Sequence, residues 1–401
     1  MRVGLVVQQL RRAVPGGIGT YAVGLVGGLA AMGAGAPEVT LLASRPPSRL
    51  ASRPPGRSDP LADLGLPLVT SRLPPSLLTR AWDAGWRAPG LGRSLGDGVD
   101  FSQPMTQRTA GRPPSTGASS LNLVHSVSLG GPATGGVPSV ACVHDLAWRS
   151  LPEAFPDRGR RWHEAALARG LLRTDRFVVP SEATADALLG AGAKPGTVVV
   201  VEEGCDHLAP VDQPATDAQL GLLGVDGPYL LCVGTLEPRK NLARLLGAYA
   251  AVRAELPEPW PLVVVGPKGW GPQAGPFGTG PFGTGPAGVV LAGVVSPGVL
   301  SGLYAGARCV AYVPLLEGWG LPAVEAMSMG VPVVASPMPS TAGQALEVDP
   351  TDVDSIADGL GRAAGDEDER VELIARGLAR TAGLSWEATA RAHVAVWAEL
   401  A

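Results

Sequence analysis

Two glutamates, Glu317 and Glu325, stand eight residues apart in the stretch EGWGLPAVEAMSMG, on either side of a glycine bend. The run Val310, Ala311, Tyr312 and Val313 before them reads as a buried parallel strand. Gly318 and Gly320 make a tight bend with exposed backbone N–H groups. Pro322 falls where the first turn of a helix begins, and Gly330 ends that helix after Ala323, Val324, Ala326 and Met327. Strand, bend and helix N-terminus together form an anion site, because the leading N–H groups of a helix have no acceptor within it. Carboxylates so close to an anion site suit sugar hydroxyls better than phosphate. The stretch therefore predicts a ligand in which a sugar is joined to a phosphate. A single Glu in a first helical turn is common simply because it complements the dipole; two carboxylates spaced around two glycines and a proline are far more specific.

A second candidate lies upstream. The strand Tyr229 to Val233 exits through Gly234-Thr235-Leu236-Glu237-Pro238-Arg239-Lys240-Asn241, and Leu242, Leu245, Leu246 and Tyr249 then mark one apolar helix face. Arg239 and Lys240 at that helix N-terminus are two cations placed for a diphosphate, although such a pair alone can also be a solvated basic turn. Two histidines are read as ending strands, His125 after Leu121 to Val124 and His144 after Ser139 to Val143. His125 reads mainly as a packed core residue. His144, in VACVHDLAW, sits with Asp145 at the carboxyl end of a strand, where open α/β sheets bind ligands. Gly17-x-Gly19-x-x-Ala22 formally meets the dinucleotide fingerprint, but too many residues separate it from its strand, and Arg45 stands where an acidic residue belongs.

The elements that must carry these groups alternate. Arg2 to Val7 is a strand, Gly16 to about Met32 a small-residue helix, and Glu38 to Ala43 a second strand: a βαβ unit of a parallel sheet. A helix Gly159 to Thr174, a strand Arg176 to Val179, a Ser181-capped helix and a strand Thr197 to Val201 complete the first half. Ala209 to Gly221 reads as a polar linker. The second half repeats the pattern through strands Pro261 to Val265, Val289 to Leu291, Arg308 to Val313 and Val331 to Ser336, with a helix from Pro297 to Ala305. Three helices close the chain, the last from Ser385 to Leu400. The fold class is thus α/β with two Rossmann-like domains facing across a cleft, 1–208 and 222–384, followed by 385–401.

Composition sets the bounds. A chain of 401 residues with 45% hydrophobic and 17% charged residues is long enough for two or three cores. A net charge of −4 gives no reason to expect nucleic acid. Cys142, Cys232 and Cys309 fall in apolar runs and Cys205 in a turn, none with metal-ligand spacing, so no metal site is expected and a reducing compartment is. With no apolar run of 18 residues and no leader pattern, a cytoplasmic location is expected. Residues 45–120 are rich in Pro, Gly, Ser and Arg, and between Arg45 and Arg112 ten arginines face five aspartates. Leu78, Trp82 and Trp86 recur at helical spacing beside Arg80 and Arg87. An interfacial helix over 77–93, touching anionic membrane, is one reading; a helix packed on its own domain with solvated arginines is the other, and such stripes usually face a core. Ser102 to Ser120 reads as a loop, and the tandem PFGTG from Pro276 to Gly285 as an inserted one.

With these residues in hand, the chain resembles the group 1 glycosyltransferases, the family-four retaining enzymes of GT-B fold. The likeness is carried by GGIGTY, VHDLAW, VPSEATADAL, GCD, VGTLEPRKN, VVVGPKGW, EGWGLPAVEAMSMGVPVVAS and the terminal SWEATA. It implies an N-terminal acceptor domain, a C-terminal nucleotide-sugar domain and a last helix crossing back onto the first. By position, Arg239 and Lys240 would neutralise the donor diphosphate, and Glu317 would contact the hexose. Gly318, Trp319, Gly320 and Leu321 would offer backbone N–H groups, while Glu325 would bind ribose hydroxyls. His144 would meet the donor sugar, Gly16 and Gly17 would close over the phosphates, and Gly234 and Thr235 would line the donor site. Thr235 stands where many members have Arg, so one phosphate contact is missing or moved to Arg239. Trp319 replaces the commoner Phe. EPRKN and GPKGW look most like mannosyltransferase segments, which favours GDP-mannose as donor, no cofactor, and a glycan or lipid-linked acceptor. The rival readings are a glycoside hydrolase using Glu317 and Glu325, an NAD(P)-binding oxidoreductase through Gly17 and Gly19, and a non-catalytic sugar-nucleotide-binding protein.

Overall fold

The computed structural model describes residues 1–46, 61–85, 121–271 and 287–401. Most of the basic segment 45–120, with Trp86, Arg87 and the loop over 102–120, lies outside the described residues, as does the PFGTG tandem. Two compact units emerge, the first comprising Met1–Leu146, Asp157–Val201 and Trp386–Ala401, the second Ala147–Pro156 and Glu202–Ser385. The division departs from a simple cut after residue 208, since the second unit also takes Ala147–Pro156 and begins at Glu202.

The first unit holds a seven-stranded parallel sheet of strands β1 (Arg2–Val6), β2 (Glu38–Ser44), β3 (Leu68–Ser71), β4 (Leu123–Ser126), β5 (Ser139–Cys142), β6 (Arg176–Val179) and β7 (Val198–Val200), ordered β3-β2-β1-β4-β5-β6-β7. Every strand residue of β4 and β5 is buried, as parallel strands covered on both faces require. Helix α1 (Gly16–Ala31) follows β1, and α2 (Pro75–Asp83) follows β3. Leu78 and Trp82 on α2 are buried in a core cluster with Val6, Leu42 and Val124, while Arg80 is exposed. The apolar stripe therefore packs on its own domain, and two of the three residues read as an interfacial face are not available to a bilayer. Among the described residues no helix is long and apolar enough to cross a membrane. Helices α3 (Ala147–Ser150), α4 (Asp157–Arg173) and α5 (Glu182–Gly190) come next, and α5 is capped by Ser181, whose side chain accepts from Thr184 N–H.

Ala209 to Gly221, read as linker, is largely helix: α6 spans Gln213–Leu223. Asp212 caps it by accepting from Ala215 N–H, Pro214 occupies its first turn, and Gly224 ends it at φ 66°. Five strands and a short sixth follow in the order β10-β9-β8-β11-β12-β13, being β8 (Leu230–Val233), β9 (Leu262–Val265), β10 (Val289–Gly293), β11 (Cys309–Tyr312), β12 (Val333–Ala335) and β13 (Leu346–Glu347). Their parallel crossovers are made by α7 (Leu242–Val252), α8 (Pro297–Gly306) and α9 (Leu321–Ser328); α10 (Val353–Gly365) and α11 (Glu367–Thr381) close the unit. Tyr249, Leu245, Leu262, Val264, Ile356 and Leu360 form the middle of one core layer.

The final helix, α12 (Trp386–Ala398), belongs to the first unit. Trp386, Ala390, His393 and Trp397 recur at helical spacing and are all buried. It packs against α1 so closely that only glycine fits: a Cβ on Gly28 would lie 2.0 Å from the Trp386 carbonyl oxygen, and one on Gly24 would lie 2.2 Å from the Trp386 ring. A chain of polar contacts ties the same helix to the sheet. Trp397 Nε1 donates to His125 Nδ1 at 2.9 Å, so His125 carries its proton on Nε2, which faces Cys142 Sγ at 3.1 Å. His393 Nδ1 sits 2.8 Å from Thr389 O and donates to it, leaving Nε2 to accept from Tyr21 OH at 2.7 Å. Tyr21 OH also lies 3.0 Å from Cys142 Sγ. His125 thus lies inside β4, fully buried, rather than at a strand's end. His125, Cys142 and His393 present atoms within 4.8 Å of one another, a spacing a metal ion could use. The protonated Nε2 that Trp397 imposes on His125 leaves that nitrogen no lone pair for an ion.

Candidate functional site

Glu317 sits at the centre of a buried charge cluster in the second unit. Its Oε1 accepts three hydrogen bonds: from Lys240 Nζ at 2.6 Å, Arg239 Nη1 at 2.7 Å and Tyr312 OH at 3.0 Å. Its Oε2 takes none among the described residues. Arg239 is a fork: Nη2 reaches Glu237 Oε1 at 2.9 Å, and Nη1 also reaches Leu316 O at 3.0 Å. Lys240 Nζ donates to Tyr312 OH at 2.6 Å and lies 5.0 Å from the centroid of that ring. Two carboxylates thus balance two cations, with a tyrosine hydroxyl relaying between them.

Local chain geometry explains the convergence. The residues Pro238–Lys240 form a single 3-10 turn that ends at Asn241, held at φ 59°, a left-handed conformation Asn tolerates better than most. Asn241 Nδ2 donates to Val313 O at 3.0 Å and to Pro350 O at 2.7 Å, and the Leu315 N–H donates to Arg239 O at 2.9 Å. The basic turn is therefore laced to the end of β11 before either cationic side chain is counted. Gly234, at the end of β8, lies beneath the Lys240 stem, 3.8 Å from Cδ as measured from its ideal Cβ position. Thr235 is half-buried in the same exit loop.

The glycine bend follows directly. Gly320 adopts φ 110°, and a Cβ there would sit 2.4 Å from Met338 Sδ, so both conformation and space demand glycine. Helix α9 begins at Leu321 with Pro322 in its first turn. Trp319 is buried under Arg380, whose guanidinium carbon lies 5.7 Å from its ring, while Gly318 is buried beside it. The indole thus floors the bend, and what the bend can offer a ligand is main chain.

Electrostatics follow from burial. Desolvation pushes the Glu317 carboxyl up, but Arg239 and Lys240 outweigh it and hold the group down at about 2. For Glu237 burial prevails over Arg239 and Lys240, and its pKa is raised. Burial and the neighbouring Glu317 charge drive Tyr312 well above the ordinary phenol range, so it remains a proton donor. A carboxylate held this firmly ionised is unsuited to act as a general acid.

Glu325 is equally occupied. It is 6% exposed; its Oε1 lies 2.9 Å from His207 Nε2 and its Oε2 accepts from Tyr304 OH at 2.7 Å. The remaining expected residues lie in the first unit. His144 is half-buried just beyond β5, with Nε2 2.9 Å from Val127 O and its ring edge-on to Tyr21 at 4.7 Å. Gly16, at φ 63°, and Gly17 are exposed at the start of α1, with open space where a Cβ would stand. The structure thus gathers Arg239, Lys240 and Glu317 into one cluster and keeps His144 just beyond β5, and Gly16 and Gly17 at the start of α1, in the other unit. Reading the sequence missed Glu237, Asn241, Tyr312, Tyr304 and His207. A tyrosine at the carboxyl end of a buried strand and an Asn after a basic pair were available signals. Nothing in the sequence marked His207.

Comparison with known proteins identifies the family. Residues 227–366 match the family described as glycosyl transferases group 1, and residues 118–207 match glycosyltransferase family 4. O-antigen chain mannosyltransferase B of Escherichia coli is 32% identical over 260 residues, covering 62% of this chain and 67% of that protein. The D-inositol 3-phosphate glycosyltransferase of Nocardioides sp. is 33% identical over 225 residues, covering 51% of this chain and 49% of that one. Among solved structures, HepE of Anabaena in complex with UDP-glucose superposes over 100% of both chains with a TM-score of 0.69 and 15% identity. Sucrose-phosphate synthase of Thermosynechococcus elongatus covers 100% of this chain and 99% of its own, with a TM-score of 0.68 and 20% identity. Two parallel-sheet α/β units with these fold neighbours, and a relative matched over two thirds of its length, settle the family: the chain belongs to the group 1, family-four glycosyltransferases and has the GT-B fold.

Proposed function

We propose that the enzyme moves mannose from GDP-mannose to a hydroxyl of a glycan or lipid-linked acceptor, with retention at the anomeric carbon. One observation carries the reading: two cations, Arg239 and Lys240, converge on a single carboxylate oxygen beside a glycine bend. The mannosyl preference is supported by the relatives, of which O-antigen chain mannosyltransferase B of Escherichia coli is one.

In this mechanism the bond between the anomeric carbon and the diphosphate oxygen breaks, and its electron pair leaves with the diphosphate. Arg239, Lys240 and the main-chain N–H groups of Gly318 to Leu321 stabilise the growing negative charge, fixed in place before the reaction. The acceptor oxygen attacks from the same face, and its proton passes to the departing phosphate oxygen. Glu317 Oε2 accepts a hydroxyl of the hexose, and Glu325 accepts the ribose hydroxyls. Gly234 and Thr235 line the same site. The two cations supply the charge for which other transferases use a divalent metal, so turnover should be indifferent to chelator.

A thermal-shift screen of GDP-, UDP-, ADP- and dTDP-sugars, followed by mass spectrometry and NMR of the product formed from acceptor extracts, tests the proposal. GDP-mannose should stabilise most and yield an α-mannoside. Stabilisation by another nucleotide sugar alone would overturn the donor, and a β-linked product the stereochemistry.

A further inference from the structure

Glu325 has a partner that no feature of its own helix supplies. His207 comes from a segment 118 residues earlier, yet its Nε2 lies 2.9 Å from Glu325 Oε1, while Tyr304 from α8 donates to Oε2 at 2.7 Å. Burying a carboxylate is costly unless its oxygens are hydrogen-bonded. Here the two donors arrive from different elements on different oxygens, which fixes the plane of the carboxylate. Burial and the charge on Glu325 drive Tyr304 well above the ordinary phenol range, so it stays a donor.

The segment carrying His207 is itself pinned. The Cys205 N–H donates to Leu384 O at 3.1 Å, and Arg380 Nη2 donates to Glu202 Oε1 at 2.8 Å. Arg380 Nε also donates to Ser340 O at 2.8 Å, and Ser340 Oγ donates to Gly320 O at 3.2 Å. One arginine therefore links the His207 segment to the glycine bend that Trp319 floors.

We propose that His207 is a positioning residue for nucleoside recognition: with Tyr304 it occupies one lone pair on each oxygen of Glu325, leaving one on each for the two vicinal hydroxyls of the donor ribose. Each carboxylate oxygen offers two lone-pair sites, so the arrangement converts Glu325 into a two-point acceptor matched to a diol. This rests on the reading of Glu325 as the ribose acceptor.

The test compares GDP with 2′,3′-dideoxy-GDP by calorimetry in the wild type and in His207→Ala, His207→Gln, Tyr304→Phe and Glu325→Gln. The wild type should favour the ribo form by about tenfold or more, the worth of one or two hydrogen bonds to a charged group. His207→Ala should reduce that ratio to about threefold or less while leaving dideoxy affinity in place. His207→Gln, whose amide nitrogen can reach the position of Nε2, should restore most of it. A ratio kept in His207→Ala but lost in Glu325→Gln overturns the role of His207 alone. A ratio kept in Glu325→Gln, or absent from the wild type, overturns the ribose reading of Glu325 itself. Equal weakening of both ligands in His207→Ala marks a merely structural contact and also overturns the proposal.

Discussion

Lys240 Nζ lies 2.6 Å from Glu317 Oε1, across 77 residues of chain, and shares that oxygen with Arg239 Nη1 at 2.7 Å. The two cations are therefore held by a protein carboxylate before any diphosphate arrives. Such pairing keeps both charges in place inside a buried site, where unpaired they would be costly. It also sets the charge an incoming diphosphate meets.

Removing either partner should separate these effects. Lys240→Ala should lower kcat by about 10²–10³, the range for loss of one preorganised charge-stabilising group. Steady-state kinetics with the donor found in the screen checks it, and unchanged turnover would remove Lys240 from the leaving-group site.

Glu317→Gln should act oppositely on binding and turnover. With the carboxylate gone, Arg239 and Lys240 lose their shared anion, so the apo protein should lose about 3–5 kcal/mol of stability. Diphosphate should then bind more tightly and restore stability, while turnover falls. Calorimetry with pyrophosphate and melting curves with and without it measure both; weaker pyrophosphate binding would contradict the pairing argument.

Tyr312→Phe removes the hydroxyl that accepts from Lys240 and donates to Glu317. The expected loss is about 1–2 kcal/mol in stability, that of a buried hydrogen bond, with a larger proportional fall in kcat than in donor affinity. A full kinetic comparison with wild type decides whether the relay positions the charges or merely fills space.

Acid should loosen the first unit before it reaches the charge cluster. Burial lowers His125 well below the usual histidine value, and it lowers His393 to about 4. Both are neutral in folded and unfolded chain above about 6.5, where their full stabilisation is present. Below that the unfolded chain takes up protons the folded one refuses, so stability falls from about pH 6.5 toward 4, by up to about 1.4 kcal/mol per pH unit for each histidine. Glu317 titrates lower: its contribution is present above about 4.5 and lost as pH falls toward about 2. Hydrogen exchange of 386–398 between pH 7.5 and 4.5 should show α12 opening first, and His393→Gln should flatten that dependence.

Gly28→Ala should release the same helix without touching the charge cluster, because its Cβ would meet the Trp386 carbonyl oxygen at 2.0 Å. A backbone shift is forced, at roughly 1–3 kcal/mol by analogy with overpacked cores. Limited proteolysis near 386 reads the outcome; an unchanged cleavage rate would mean the packing yields cheaply.

How much of this was legible beforehand differs by element. Strand β11, the bend at Gly318 and Gly320, Pro322 and the stop at Gly330 were readable because each is a local backbone requirement. The pairing of Arg239 and Lys240 with an anion was readable as charge, but which anion holds them was not. Ala209 to Gly221 looked like linker, since its polar content hid a helix whose cap, Asp212, lies inside the stretch and whose αL stop, Gly224, lies just past it. The stripe of Leu78 and Trp82 had the right period for either a membrane or a core, and only the packing against Val6, Leu42 and Val124 decided between them.

The amino-acid order alone determined the alternation of strands and helices, the glycine bend and the local placing of two cations near a helix start, because those depend on neighbours a few residues apart. Tertiary structure decided that Glu317 clasps both cations, that His207 and Tyr304 take the two oxygens of Glu325, and that α12 lies on α1 through Gly24 and Gly28. Those contacts join residues tens to hundreds of positions apart. Hydrogen-bond directions and steric clearances at that range exist only once the sheets are assembled.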